Sequence, residues 1–412
     1  MKSSSTSLFF LFLAFLASSS LYSQPSLIHL SLQQKTKPDA TAPVTVTWCS
    51  DNRTGNQFVR YGLTPDPGKR VKAVTNEFDG RVVFTAGLKK LKPGNKYFYT
   101  CGSEKDGWSK VYSFSSEPET GVFRVGIIGD TQDNNQNEEF QKTRVITDMV
   151  KIYSPHLTLH MGDIVNDGSL TTSWTKFLSV TEDLSAISPL MPVLGNHDVV
   201  NEKGEDFQKP FQDFHSLFTL PGDEVNYSFS YGKVRFIGIF SGCAQAADEI
   251  GQVKYKPGSP EYLWLEKELS SAENNRDINW IIVWMHYPVS SFGWSNVAGW
   301  RNNILPLLEK HRVDLCIAGH RHVYERHYQV KDGVPVKNDT GTFTSADGTI
   351  YITNGTAGGT PTDSGGKNLP DMAFTPERSM YSYGIMDLEA SAITYRVFDQ
   401  DNRLIDKFVI QK

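Results

Sequence analysis

The stretch "HLTLHMGDIVNDG", His156–Gly168, begins as an apolar run, stops at a bare carboxylate, Asp163, and continues into an Asn-Asp-Gly turn. A short apolar run bounded by turn residues reads as a strand buried on both faces. Such a strand has little reason to end in an acid unless something cationic holds it. The same design recurs. "VFRVGIIGD" ends in Asp130, "MPVLGNHD" carries Asn196 and His197, "NWIIVWMH" ends in His286, and "VDLCIAGHRH" delivers His320 and His322. Helical-period segments fall between these strands at 137–153, 173–187, 260–273 and 302–311. That alternation predicts a mostly parallel sheet covered by helices, an α/β arrangement in which the carboxyl ends of strands face the ligand crevice.

Five strand ends therefore aim carboxylates, an amide and imidazoles at one pocket. A lone Gly-Asp is more often a turn, and a lone histidine an ordinary polar residue. Five in the order Asp, Gly-Asp, Gly-Asn-His, His, Gly-His-x-His are hard to read that way. Mixed Asp, Asn and His donors suit Fe, Zn or Mn better than calcium or magnesium. They are too many for one tetrahedral ion, so two metal ions sharing a carboxylate is the economical arrangement. Two such ions about 3.5–4 Å apart can activate water and clamp a phosphoryl group.

The rest of the chain divides around this pattern. From Ser26 to about Glu117 the runs "VTVTWCS", "NQFVRYG", "RVVFTAGL", "KYFYTCGS" and "KVYSFSS" read as short strands between turns. They predict an all-β sandwich over 24–118. "LKPGNKYFY" supplies the turn and tyrosine of a fibronectin-like corner, and "SEPETG" reads as a linker into a catalytic domain over 122–412. "YSFSYGKVRFIGIFS" reads as a hairpin, and from "TIYITNG" onward the tail returns to antiparallel β. Residues 1–23, with "LFFLFLAFLA" at 8–17, have the pattern of a secretory signal peptide. That apolar core is too short to span a bilayer, which needs about 20 residues. A secreted or periplasmic chain without a membrane span is expected.

A net charge of -5 and a pI near 6.1 give no reason to expect nucleic-acid binding. Cys49 and Cys101 share the sandwich and could pair. Pleat parity argues mildly against it, with Cys49 outward and Cys101 inward. Asn52, Asn226, Asn338 and Asn354 stand in glycosylation sequons.

The set "GD…GDxxN…GNHD…MH…GHRH" resembles the calcineurin-like metallophosphoesterases. With the leading sandwich, "GLKKLKPGNKYFY" and "AGHRHVYER", it is most similar to the purple acid phosphatases. The resemblance implies a four-layer α/β (α+β) metallophosphoesterase domain behind a fibronectin type III-like sandwich. It also implies hydrolysis of phosphate monoesters by a metal-activated water or hydroxide, in a family that often dimerises. By position, Asp163 would bridge the two metals. Asn196, His286 and His320 would complete one, and Asp130 and His322 would hold the other. His197 would act beside the phosphate, oriented by Asp167 or Asp198.

The chain departs from the family pattern where a tyrosine is expected. It has Asn166 there, and Gln132 stands at the superfamily's alternative histidine position. The amide oxygen of Gln132 or Asn166, or water, is left to fill that place, and without a tyrosinate the protein should be colourless. Asn166 is equally read as an ordinary turn residue. The loop after His286 lacks the histidines of plant-type members. Tyr287, Ser290, Ser291, Trp294 and Asn296 are its substrate-facing candidates, though each aromatic reads more simply as core. Tyr324, Glu325 and Arg326 read as buttresses of the "GHRH" loop, and His215, His311 and His327 as surface or packing residues. A phosphodiesterase or nucleotide hydrolase on the same site, and a non-catalytic surface-binding protein with a degraded site, are the competing readings.

Overall fold

The computed structural model describes residues 24–37, 40–50, 56–133, 139–199, 208–242, 255–291, 298–338, 340–363 and 371–412. The signal-peptide segment, the Asn52 sequon, Trp294 and Asn296 lie outside the described residues.

The N-terminal part is a sandwich of two sheets. One orders its strands Ser26–Leu32, Val44–Ser50, Arg81–Leu88 and Val74–Phe78; the other is built on Phe58–Gly62 and Lys96–Ser103. At the expected corner the Tyr97 hydroxyl accepts from the Lys92 amide at 2.8 Å, the bond of a tyrosine corner.

Parity misplaces Cys49. All seven residues of Val44–Ser50 are buried, because the C-terminal part packs on this sheet. Its edge strands touch the helices Thr171–Ser185 and Gln208–Leu217. The His29 ring bonds the Leu217 carbonyl at 2.8 Å, and the Ile28 amide donates to Glu182 at 3.2 Å. Cys101 and Cys316 are buried free thiols, so no bond joins Cys101 to Cys49. Burial pushes both thiols up from their ordinary pKa. Asn354 is 1 % exposed, which removes it as a glycan acceptor.

The C-terminal part holds two mixed seven-stranded sheets where the alternation predicts one mostly parallel sheet. In the first, Leu190–Pro192, Leu157–His160 and Phe123–Ile128 are parallel, and Ser382–Leu388, Ala392–Asp399 and Leu404–Gln411 extend it antiparallel. In the second, Val234–Ile239, Trp280–Met285, Leu315–Ala318 and Ile350–Asn354 run parallel, with the hairpin strand Tyr227–Tyr231 at one edge. The "TIYITNG" strand is thus parallel to Leu315–Ala318, not the start of an antiparallel tail.

Period-two packing gives the layers. Trp280, Ile282 and Trp284 join Val125, Ile127 and Ile385 in one core, while Ile281, Val283 and Met285 meet Leu265, Leu269, Ile304 and Leu308 of the helices Pro260–Glu273 and Ala298–Lys310. The helices Gln141–Ile152 and Thr171–Ser185 pack on each other beside the first sheet. Helix, sheet, sheet and helix make four layers. The helix Gln208–Leu217 has no counterpart among the predicted ones. Glu117, in the segment read as a linker, is buried. It pairs with Lys35 and accepts from the Ala42 and Gly232 amides at 2.9 and 2.7 Å, stapling the two parts.

Candidate functional site

The strands Phe123–Ile128, Leu157–His160, Leu190–Pro192, Trp280–Met285 and Leu315–Ala318 all end at one pocket, and the backbone turns sharply there. Asp130, Asp163 and His320 adopt positive φ angles of 53°, 49° and 67°. Such conformations cost of order 1–3 kcal/mol each and persist where the surroundings impose them, frequently at functional sites. Two glycines let the turns close. A Cβ on Gly195 would stand 2.2 Å from Asp163 Oδ1, and one on Gly319 would stand 2.3 Å from Asp130 Oδ2.

Four donor atoms converge in one half of the pocket. His286 Nε2 lies 3.2 Å from Asp163 Oδ2, 3.0 Å from Asn196 Oδ1 and 3.2 Å from His320 Nδ1, and the last two atoms are 2.9 Å apart. Donors about 2.1 Å from a common ion and 90–109° apart lie roughly 3.0–3.4 Å from one another, so the spacing fits a coordination shell. His286 Nδ1 bonds the Met161 carbonyl at 2.9 Å, which leaves its Nε2 lone pair facing the cluster. Asp163, His286 and His320 by themselves form a metal-compatible group.

The other half is looser. His322 Nε2 stands 3.6 Å from Asp130 Oδ1 and 3.3 Å from Gln132 Nε2, which is itself 3.1 Å from Asp163 Oδ2. The Thr360 carbonyl holds His322 Nδ1 at 2.9 Å, again turning the Nε2 lone pair inward. Asp130 Oδ1 and Gln132 Oε1 are buried without a hydrogen-bond partner among the described residues. Orphaned buried acceptors are costly in a folded protein, and two of them in the half that holds His322 suit a cation. Asp163 lies between the halves.

The carboxylates are driven apart electrostatically. Burial and the Asp163 charge push the Asp130 carboxyl well above the usual range. Burial acts in the same sense on Asp163, but the charge and hydrogen bond of His286, with His197 and His320, outweigh it and hold that carboxyl low. Burial pulls the His320 and His322 imidazoles down, which favours the neutral rings, each with one nitrogen lone pair to offer an ion.

His197 projects beside the cluster. Its amide donates to Asp163 Oδ1 at 2.9 Å, and its Nδ1 meets the Asn166 carbonyl at 2.9 Å. Neither carboxylate proposed to orient the ring bonds it. Asp167 accepts from the Ser169 amide and hydroxyl. Asp198 accepts from the amides of Ile164, Val165 and Gly195 at 2.7, 3.1 and 2.7 Å, clamping the two ligand loops together. Burial, then the Asp163 charge, pushes Asp198 up to about 7. Behind the pocket, His160 meets Thr131 Oγ1 at 2.9 Å; burial and His286 bring it down to about 3. The roles of the Met161, Asn166 and Thr360 carbonyls leave no side-chain signal in a sequence.

The loop after His286 turns inward. Tyr287 is buried with its ring 4.5 Å from that of His320. Ser290 and Ser291 are buried and donate to Asp371 at 2.9 Å and Glu325 at 2.6 Å. Tyr324 and Arg326 both bond Asp406 of the last strand, at 2.8 and 2.7 Å. His215 and His311 meet Glu224 and Glu273 at 2.8 and 3.0 Å, and His327 is fully buried.

Comparison with known proteins agrees with this architecture. The calcineurin-like phosphoesterase family matches residues 123–324, and the purple acid phosphatase N-terminal domain matches residues 25–116. A human protein named acid phosphatase type 7 is 27% identical over 81% of this chain and 78% of its own length. A probable inactive purple acid phosphatase 1 from Arabidopsis thaliana is 26% identical over 81% of this chain and 58% of its own. The chain spans less than two thirds of that relative. A purple acid phosphatase structure from yellow lupin (Lupinus luteus) seeds shares the fold with a TM-score of 0.80, at 20% identity over 94% of this chain and 74% of that one.

Proposed function

We propose that this chain, which belongs to the calcineurin-like phosphoesterases and carries the purple acid phosphatase N-terminal domain, hydrolyses phosphate monoesters at a two-ion centre. The carrying observation is the convergence of Asp163 Oδ2, Asn196 Oδ1, His286 Nε2 and His320 Nδ1, with Asp130 and His322 across the Asp163 carboxylate. Asn196, His286 and His320 would hold one ion and Asp130 and His322 the other, with the Asp163 carboxylate shared between them. Ions of Fe, Zn or Mn bound there would supply an activated water and neutralise phosphoryl charge. His197 stands where a ring can protonate the leaving oxygen or stabilise the transition state. The Asn166 carbonyl holds Nδ1 and leaves Nε2 for the substrate.

Initial rates on an aryl phosphate monoester and the matching diester, measured on one metal-reconstituted preparation, test the reaction class. A strong monoester preference supports the reading. Diester preference moves it to a phosphodiesterase, and no turnover of either, with the ions bound, moves it to a non-catalytic relative. Export belongs to the same proposal and rests on residues 8–17. Retention inside the cell with residue 1 still at the N-terminus would count against it. Among the described residues no helix is long and apolar enough to cross a membrane.

A further inference from the structure

We infer that Gln132 is itself a metal ligand, its Oε1 supplying the missing protein donor in the Asp130–His322 half. The inference rests on the two-ion reading above. Gln132 is 1 % exposed and directed inward. Its amide nitrogen sits 3.1 Å from Asp163 Oδ2 and 3.3 Å from His322 Nε2. Those separations fall within the roughly 3.0–3.4 Å expected of neighbouring donors on one ion.

With no cation in place, the amide NH2 is the end that can satisfy a carboxylate oxygen and an imidazole lone pair. That choice buries Oε1 without a partner. A half-turn about the last side-chain torsion exchanges the two ends and puts the oxygen where the nitrogen now stands. That torsion is broad and costs little to turn. The backbone need not follow. The Asp130 amide donates to Gly162 O at 2.9 Å, the Thr131 and Gln132 amides to Asp163 O at 2.9 and 3.2 Å, and Thr131 Oγ1 to Ile164 O at 2.8 Å. A cation therefore relieves two orphans together, Gln132 Oε1 and Asp130 Oδ1.

Asn166 enters the site through its backbone carbonyl, already engaged by His197, and its residue is half-exposed. The geometry thus favours Gln132 over Asn166. A neutral amide oxygen is a hard donor without charge. Beside one carboxylate of its own and a shared one, it suits a divalent ion of the manganese type, held more weakly than the ion of the four-donor half.

The test is Mn2+ binding to metal-free protein, followed by calorimetry and by the electron paramagnetic resonance of unbound ion. The wild type should take up two ions in a strong and a weak step. Gln132→Leu should keep the strong step and weaken the other by at least the ~10-fold that losing even an outer-shell partner costs. Gln132→His should restore it, and Asn166→Ala should leave both steps unchanged. Circular dichroism checks each fold, and the histidine variant carries the test should the leucine one misfold. Two wild-type steps unaltered by Gln132→Leu would overturn the role of Gln132 and leave the two-ion reading standing. Fewer than two ions on the wild type would overturn the two-ion reading itself, and this inference with it.

Discussion

The two halves of the pocket are built to different degrees of completion. On one side Asp163, Asn196, His286 and His320 bring four donor atoms together at separations of 2.9–3.2 Å, and the Met161 carbonyl aims the His286 ring. On the other, Asp130 and His322 stand 3.6 Å apart, and two buried acceptors wait without partners. Both halves end on strands of the same fold, so the scaffold is not the difference. The difference is one side chain: an amide at 132 supplies neither the negative charge nor the fixed lone pair of a phenolate or imidazole. A completed cage keeps its geometry without its ion, whereas an incomplete one stores its deficit as orphaned atoms.

Asp163 tests the comparison most severely because it serves both sides. Asp163→Asn should take aryl phosphate turnover to background and cost the protein at least one of two bound ions, counted by elemental analysis. Normal turnover with two ions would break the division into halves joined at this carboxylate.

His197 belongs to neither half. His197→Asn should lower kcat by 10²–10⁴-fold, the usual worth of a proton-transferring side chain, with ion content unchanged. Loss of an ion would draw it into the metal shell and blur the comparison. Iron loading gives a third check. With Asn166 and Gln132 where a tyrosine or histidine would stand, the oxidised protein should lack a visible tyrosinate band. Appearance of one would show that another phenolate completes the weak half.

The complete half was the more legible in the sequence, for a physical reason. Its donors are side chains at strand ends, marked by Gly-Asp, Gly-Asn-His and Gly-His pairs, and Gly195 and Gly319 make room for the carboxylates of Asp163 and Asp130. What orients them is mostly backbone. The Asn166 carbonyl, not Asp167 or Asp198, holds His197, and no residue type announces a carbonyl. Asp198 is a clamp on three amides, a role that depends on two loops meeting in space. The fold shows the same limit. Strand–helix alternation is local, so it predicts parallel strands, but whether they form one sheet or two is decided by long-range pairing. Tail strands such as Ser382–Leu388 join the first sheet against Phe123–Ile128. Cys49 was misplaced likewise, since parity cannot foresee a second domain covering a sheet.

The smallest effect bears on stability without metal, where the halves should respond in opposite directions. The Asp130 carboxyl is raised above its ordinary 3.8 by burial and by Asp163. The folded state therefore holds its proton more tightly than the unfolded chain. Its contribution is present below pH 3.8 and is lost as pH rises through the folded value. Asp163 is depressed below 3.8, so its contribution is present above that pH and is lost as pH falls below it. At neutral pH, removing the ionisable group at 130 should thus stabilise the metal-free protein. Asp130→Asn keeps the acceptor for the His320 amide, now at 3.0 Å, and turns an amide toward the His322 lone pair. A gain of about 1 kcal/mol in chemical denaturation is expected, shrinking as the pH approaches 4. Asp163→Asn should instead cost roughly 1.5–3 kcal/mol, the worth of hydrogen bonds to a charged group. Saturating Mn2+ should reverse the ranking of wild type and Asp130→Asn, because an ion that binds the folded state stabilises the protein able to hold it. If Asp130→Asn destabilises the metal-free protein at pH 7 as much as Asp163→Asn does, the weak half carries no stored deficit, and the contrast between the halves fails.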